Sequence, residues 1–297
     1  MPKISIIAPA YQAEKYVQRF IDTVLNFDYR NLELILVNDA SEDKTHEIIE
    51  QNKSRIEEAG IEFKYVNLKK NKGQANALNV GLKLVTGEYL AWLDIDDLFL
   101  PNCLSKSLET LKSNPDCKMV FSKSLSVKEV GSDEDVDNKN IITFMGKNYK
   151  SIGVIPEREF VHDNLFEDYI KRDNVIWQPM RFVETKALFE VLKNKEIYVS
   201  RRGQNAQIFL PMSYKYKWTY LDEILSYYVI YSNSHSHSHN SYFLRFEFEK
   251  LMIKTINRIK MPFLEKIKYF LLVKYRFLQD DWAEIKKIYV LFLCSRL

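Results

Sequence analysis

ISIIAPAYQAEKYVQRFIDTVLNFDYRNLELILVNDASEDKT, residues 4–45, sets an apolar β-branched run, a helical spacing and a second apolar run in quick succession. Ile4 to Pro9 reads as a strand, and Val17, Phe20, Ile21, Val24 and Leu25 then recur at the spacing of one helix face. LELILVND, residues 32–39, is a strand again. SEDKTHEIIEQNKSRIEEAG, residues 41–60, repeats the helical signal, with Ser41 a candidate N-cap and Gly60 a candidate stop. FKYVNL (63–68), GQANALNVGLKLVTG (73–87) and EYLAWLD (88–94) continue as strand, helix and strand. Nearly continuous apolar strands separated by helices predict a parallel sheet covered on both faces, an α/β, Rossmann-like layer. Ligands of such sheets sit at the carboxyl ends of the strands. Pro9 to Gln12, Asp39 and Asp94 to Asp97 all fall at those ends.

The whole chain has 297 residues, 46% hydrophobic and 13% aromatic, enough for a sizeable core. Its net charge of +3 gives no global field for nucleic acid. Cys103, Cys117 and Cys294 are scattered without CxxC spacing, which fits reduced thiols and a cytoplasmic location. The N-terminal apolar run is too short for a signal h-region, and no uncharged run long enough to span a membrane appears.

After Pro101 the pattern changes. SKSLETLKSNP (105–115) reads as a helix, CKMVFSKSLSV (117–127) as a strand and GSDEDVDNKN (131–140) as an acidic solvated loop. Residues 151–232 mix short apolar runs and loops, as expected of an α+β half facing the first across a crevice. LMIKTINRIKMPFLEKIKYFLLVKYRFL (251–278) is helical and basic, broken once at Pro262. The predicted organisation is one main α/β domain over residues 1–238, divided into 1–101 and 102–238, and a basic helical extension over 239–297.

LDIDDLFLP, residues 93–101, ends an apolar strand in Asp94, Asp96 and Asp97. Like charges this close are costly unless neutralised, and an oxygen-only set suits Mg²⁺ or Mn²⁺ bridging carboxylates to a diphosphate. The plain alternative is that they cap the helix near Pro101 or line a solvated loop.

Residues 4–45, followed by NKGQANALNVGLKLVTGEYLAWLDIDDLFLP (71–101), resemble the nucleotide-sugar-binding half of a family 2 glycosyltransferase of GT-A fold, of the bacterial polysaccharide type. The resemblance implies that Pro9 and Tyr11 border the nucleotide base and that Asp39 bonds its edge; the alternative for Asp39 is a helix cap. It places Asn71, Lys72 and Gly73 beside base or ribose. It makes Asp94 and Asp96 the DxD pair, with Asp97 beside them, dividing donor ribose and metal, and Asp96 the principal metal contact. The implied reaction is inverting, from a nucleoside diphosphate sugar, UDP-linked, carrying a hexose or N-acetylhexosamine, to a glycan or lipid-linked acceptor.

One departure bears on mechanism. Family members usually carry a Glu-Asp pair whose Asp is the general base, and YVSRRGQNAQIFLPM (198–212) puts Gln204 and Asn205 there. An amide cannot accept that proton. Three readings follow: a subgroup in which Gln204 and Asn205 position the acceptor while Asp163, Glu167, Asp168 or Glu184 is the base; a non-catalytic sugar-nucleotide-binding relative; or a shifted register with Glu167 and Asp168 as the pair. A metal-dependent nucleotidyltransferase is a further alternative, but SIIAPAYQAEKY lacks its Gly-rich basic loop. SNSHSHSHN (232–240) alternates His235, His237 and His239, a spacing that suits metal binding, and the resemblance implies His235 or His237 as a third metal ligand, against a solvated Ser-rich connector. Residues 241–297 suit peripheral contact with the inner face of a membrane, or packing on the catalytic domain or in a homodimer.

Overall fold

The computed structural model describes residues 1–130, 141–155, 164–171, 179–200, 203–231 and 242–294. β1 (Ile4–Ala10), β2 (Leu32–Asn38), β3 (Glu62–Asn67) and β4 (Tyr89–Leu93) run parallel. They are linked by α1 (Val17–Leu25), α2 (Thr45–Gln51), α3 (Lys53–Glu58) and α4 (Gln74–Leu84). Ile4, Ile6 and Ala8 pack into a core with Phe20 and Ile21 of α1, whereas Ile7 enters the opposite core with Leu78 and Leu82 of α4. Both faces of β1 are therefore buried, which is why it reads as an apolar run interrupted only by Ser5.

The first half deviates locally from the sequence expectation. Ser41 does not cap α2, because its hydroxyl is donated to Asn38 Oδ1 at 2.6 Å. Asp43 serves near that helix start, its Oδ1 accepting the Thr45 N–H at 3.0 Å. The single helix expected over 41–60 is broken at Asn52, whose side chain donates to the Ile48 carbonyl at 2.9 Å and to Gln18 at 2.8 Å. Such side-chain bonds compete with the helical ladder. Gly60 ends α3 at φ +77°, as its position predicted.

The second half continues the same sheet. β9 (Met180–Glu184) pairs antiparallel with β4 and with β6 (Cys117–Val130), and β10 (Lys217–Val229) runs parallel to β6 and antiparallel to β5 (Leu98–Phe99). The order is β3-β2-β1-β4-β9-β6-β10-β5, with β7 (Ile141–Phe144) and β8 (Lys147–Ile155) forming a hairpin on β6. Among the described residues, both predicted halves thus share one ten-stranded sheet. The boundary expected at 238/239, the acidic segment 131–140, Asp163, His235, His237 and His239 lie outside the described residues.

The remaining helices are α5 (Cys103–Ser113), α6 (Leu165–Lys171), α7 (Thr185–Val191), α8 (Gln204–Lys215), α9 (Tyr242–Arg258) and α10 (Phe263–Cys294), the last two separated at Pro262. α8 starts from Gly203 at φ +82°, where an added Cβ would lie 2.7 Å from both Phe248 Cε2 and Leu251 Cδ2 of α9. Only glycine tolerates that backbone under that cover. Gly203→Ala is expected to cost about 2 kcal/mol from the left-handed backbone and the crowding together. Urea denaturation checks this; an unchanged midpoint would contradict the close packing of α9 on the start of α8.

Candidate active site

β4 is covered on both faces, so it delivers its last residue, Leu93, from the core directly to the sheet's carboxyl edge. The chain turns there at once, the Asp97 N–H donating to the Asp94 carbonyl at 3.2 Å. The three carboxylates then part company. Asp94 Oδ2 accepts from Arg181 at 2.6 Å, and Oδ1 from the Gln74 amide at 3.3 Å. Asp97 is 3% exposed and turned inward, with Oδ1 accepting the Val229 N–H of β10 at 3.0 Å. Burial, then the charges of Asp96 and Asp94, hold its carboxyl well above the usual range. As placed, Asp97 fastens the acidic turn to β10. Asp96 is half-buried, and burial followed by the Asp94 charge pushes its carboxyl up to about 6.

Two arginines far away in sequence hold this turn. Arg181 on β9 is 3% exposed; besides Asp94 it donates to the Pro179 carbonyl at 3.0 Å, and its guanidinium lies over the Trp92 ring at 5.2 Å. It arrives because β9 pairs antiparallel with β4 in a register that sets Arg181 opposite Trp92. Arg19 on α1 donates to the Asp96 carbonyl at 2.7 Å and to the Tyr149 and Tyr231 hydroxyls at 2.9 and 3.1 Å. Tyr231 also donates to the Asp96 carbonyl, at 3.2 Å. Sequence reasoning missed both arginines. RFIDTVL and MRFVE mark a helix and a strand, and nothing local in them points to an acidic turn more than seventy residues away.

At the end of β2, Asp39 is buried, and its carboxylate accepts the Lys72 N–H at 3.1 Å and the Gly73 N–H at 2.7 Å. It is therefore not the cap of α2; it pins the loop that leads into α4, where Asn71 Oδ1 also accepts the Gly73 N–H at 3.0 Å. Pro9 is half-buried and Tyr11 is 49% exposed at the adjoining end of β1. Gln12 accepts the Glu42 N–H at 2.9 Å and so braces the β2–α2 loop. Pro9, Tyr11, Asp39, Asn71, Lys72, Gly73, Asp94 and Asp96 thus gather along one edge of the parallel sheet.

Gln204 and Asn205 form the first turn of α8, both half-buried, and Gln204 Nε2 donates to the Ser200 carbonyl at 3.3 Å. Two acids proposed as replacement bases are engaged elsewhere. Hydrogen bonds from Lys171 and Lys268, at 2.8 and 2.7 Å, hold the Glu167 carboxyl down to about 2. Glu184 accepts from Lys118 at 2.6 Å. Asp168 is buried, 6% exposed. The shifted register that would pair Glu167 with Asp168 is weakened, because two lysines hold the Glu167 carboxyl in its ionised, weakly basic form.

Among the described residues no three His, Cys, Asp or Glu side chains converge on a ready-made metal site. Asp94, Asp96 and Asp97 do not form one, since Arg181 and Val229 draw two of the carboxylates apart. The donor set still fits a hard cation held by one or two carboxylates and completed by water and phosphate oxygens, with Asp96 the least engaged of the three. A pH dependence follows. Because the folded carboxyl of Asp96 titrates near 6 and its unfolded form near 3.8, the native state binds the extra proton between those values. Without metal, stability should fall as pH rises from about 4 to about 6, by roughly 2–3 kcal/mol from this group. Cation binding needs the ionised carboxylate, so the melting-temperature gain from Mn²⁺ should grow over the same window. Thermal melts across that range, with and without Mn²⁺, check it; a metal effect independent of pH would contradict it.

The family model described as Glycosyl transferase family 2 matches residues 5–154. An uncharacterized glycosyltransferase of Haemophilus influenzae is 29% identical over 193 residues, covering 63% of this chain and 55% of that protein. The chain spans roughly half the length of the curated relatives it matches. Among solved structures, S. aureus TarS residues 1–349 in complex with UDP-GlcNAc superposes with a TM-score of 0.63 at 19% identity, covering 92% of this chain and 72% of that one. The mannosyltransferase PcManGT of Pyrobaculum calidifontis, in complex with GDP-Man and Mn²⁺, gives 0.60 at 15% identity over 99% and 75%. These two likenesses establish the GT-A fold.

Proposed function

The chain belongs to glycosyl transferase family 2, and on that premise we propose that it is an inverting enzyme moving one sugar from a UDP-linked donor to a hydroxyl of a glycan or lipid-linked saccharide. One observation carries the reading: the acidic turn after β4, Asp39 after β2 and the Asn71–Gly73 loop meet along the carboxyl edge of one parallel sheet. The nucleotide-sugar complexes of the two structural neighbours support the donor class.

In this reading the base rests against Pro9 and Tyr11. The Asp39 carboxylate, held by the Lys72 and Gly73 amides, keeps lone pairs for a ring N–H. Asp94 and Asp96 face the ribose and cation, and a Mg²⁺ or Mn²⁺ held there supplies the positive charge that a departing diphosphate needs. The acceptor oxygen forms its bond to the anomeric carbon as the carbon–phosphate-oxygen bond breaks. UDP takes the bonding pair, and the hydroxyl proton passes to a base. Gln204 and Asn205 can orient that hydroxyl through their amides but cannot deprotonate it. That substitution favours a second reading, a relative that binds sugar nucleotides without transferring them.

A panel of UDP-, GDP- and CMP-sugars, tested for cation-dependent thermal stabilisation and then for nucleotide release with varied acceptors, separates the two. UDP-sugars are expected to stabilise the chain only with Mg²⁺ or Mn²⁺ and to release UDP. Preference for a GDP-sugar would overturn the donor assignment. Binding without turnover across the acceptors would select the second reading.

A further inference from the structure

α10 is apolar on two opposite faces. On one, Tyr269, Val273 and Phe277 are buried against the neighbouring α6 and α9, and Arg276 donates to the Tyr169 and Ile170 carbonyls at 3.1 and 3.0 Å. At about 100° per residue, the face pointing the other way carries Leu264, Ile267, Leu271, Tyr275 and Leu278. These are 80, 38, 64, 59 and 58% exposed. Single exposed apolar residues need no explanation, but five in register make a ridge about 21 Å long.

The exposed charges along this stretch of chain have one sign. Among the exposed residues between 260 and 279, the charged side chains are Lys260, Lys268 and Lys274, and none is acidic. Lys268 and Lys274 flank the ridge on either side. Their carboxylate partners, Glu167 and Glu249, are 20% and 12% exposed, so the acids lie underneath and the ammonium groups outside. Among the described residues no helix is long and apolar enough to cross a membrane. An apolar ridge bordered by lysines matches a surface that offers hydrocarbon below a layer of anionic headgroups.

We propose that α10 docks the protein peripherally on an anionic lipid surface, the ridge entering the headgroup–acyl boundary and Lys260, Lys268 and Lys274 meeting lipid phosphates. The docked surface belongs to the acceptor half, because α10 packs on α9 and α9 covers Gly203 at the start of α8. Docking does not depend on which sugar donor the crevice takes.

The test is flotation of the full chain with phosphatidylcholine vesicles, with and without about 30 mol % phosphatidylglycerol. The wild type is expected to float with the anionic vesicles, and Leu264→Glu/Leu271→Glu to reduce partitioning at least about tenfold. Lys260→Gln/Lys274→Gln, or salt at about 0.5 M, should weaken it several-fold. Both variants alter exposed side chains, so unchanged melting temperature and nucleotide binding confirm that the fold is intact. No flotation of the wild type, or flotation unaffected by the double leucine variant, overturns the proposal. So does a concentration-dependent dimer that the leucine variant abolishes, since the ridge would then belong to a second copy.

Discussion

Asp96→Asn is expected to lower sugar transfer by about a thousandfold, equivalent to about 4 kcal/mol of transition-state stabilisation, and to raise the melting temperature of the metal-free protein. The two effects have opposite sign because the same charge causes both. Asp96 is half-buried beside Asp94 and Asp97, and that surrounding raises its carboxyl to about 6. An amide of the same shape removes the repulsion and the desolvation of the anion. It also removes the carboxylate best placed to hold a cation against the diphosphate. Turnover with a UDP-sugar and a thermal melt without metal measure the two limbs. Activity within tenfold of the wild type would sink the catalytic assignment, and an unchanged metal-free melt would contradict the electrostatic account.

Arg181→Met should be the most destabilising change in the site, costing about 4 kcal/mol by chemical denaturation. The guanidinium is 3% exposed and sits 2.6 Å from Asp94 in the acidic turn. Removing one member of a buried pair strands the other, and here the stranded charge has two further carboxylates beside it. Asp94→Asn added to Arg181→Met should recover part of the loss, because the orphaned charge goes with it. Arg181→Lys should fall between, since a lysine cannot both reach Asp94 and lie flat over Trp92. A loss below about 1 kcal/mol for Arg181→Met would mean that the pair is solvated and that the turn is held by other contacts.

The parallel half was legible because its signals are local. Apart from Ser5, Glu33 and Asn38, Ile4 to Pro9 and Leu32 to Asn38 are apolar, as strands buried on both faces largely are. Val17, Phe20, Ile21 and Val24 recur at one helical period, and Gly60 and Pro262 stop helices where their backbone preferences say they should. The break at Asn52 was not legible, because a single amide bonding the Ile48 carbonyl leaves the apolar period intact. The sharing of one sheet by both halves was hidden too. β9 enters between β4 and β6 from 87 residues beyond Leu93, a pairing chosen by burial and register rather than by any residue within it.

The sequence by itself determined the family, the α/β class and the edge at which Asp39 and Asp94 to Asp97 collect, because strand polarity and chain order place those residues whatever the later packing. Only the tertiary structure decided what each carboxylate does. It turned Asp97 inward to β10, paired Asp94 with Arg181, tied Asp39 to the Lys72–Gly73 loop and left Asp96 the least committed. It also engaged Glu167 and Glu184 with lysines. The reason is physical: a carboxylate's role is set by the nearest donor and by the water it has lost, and both are supplied by segments far away in the chain.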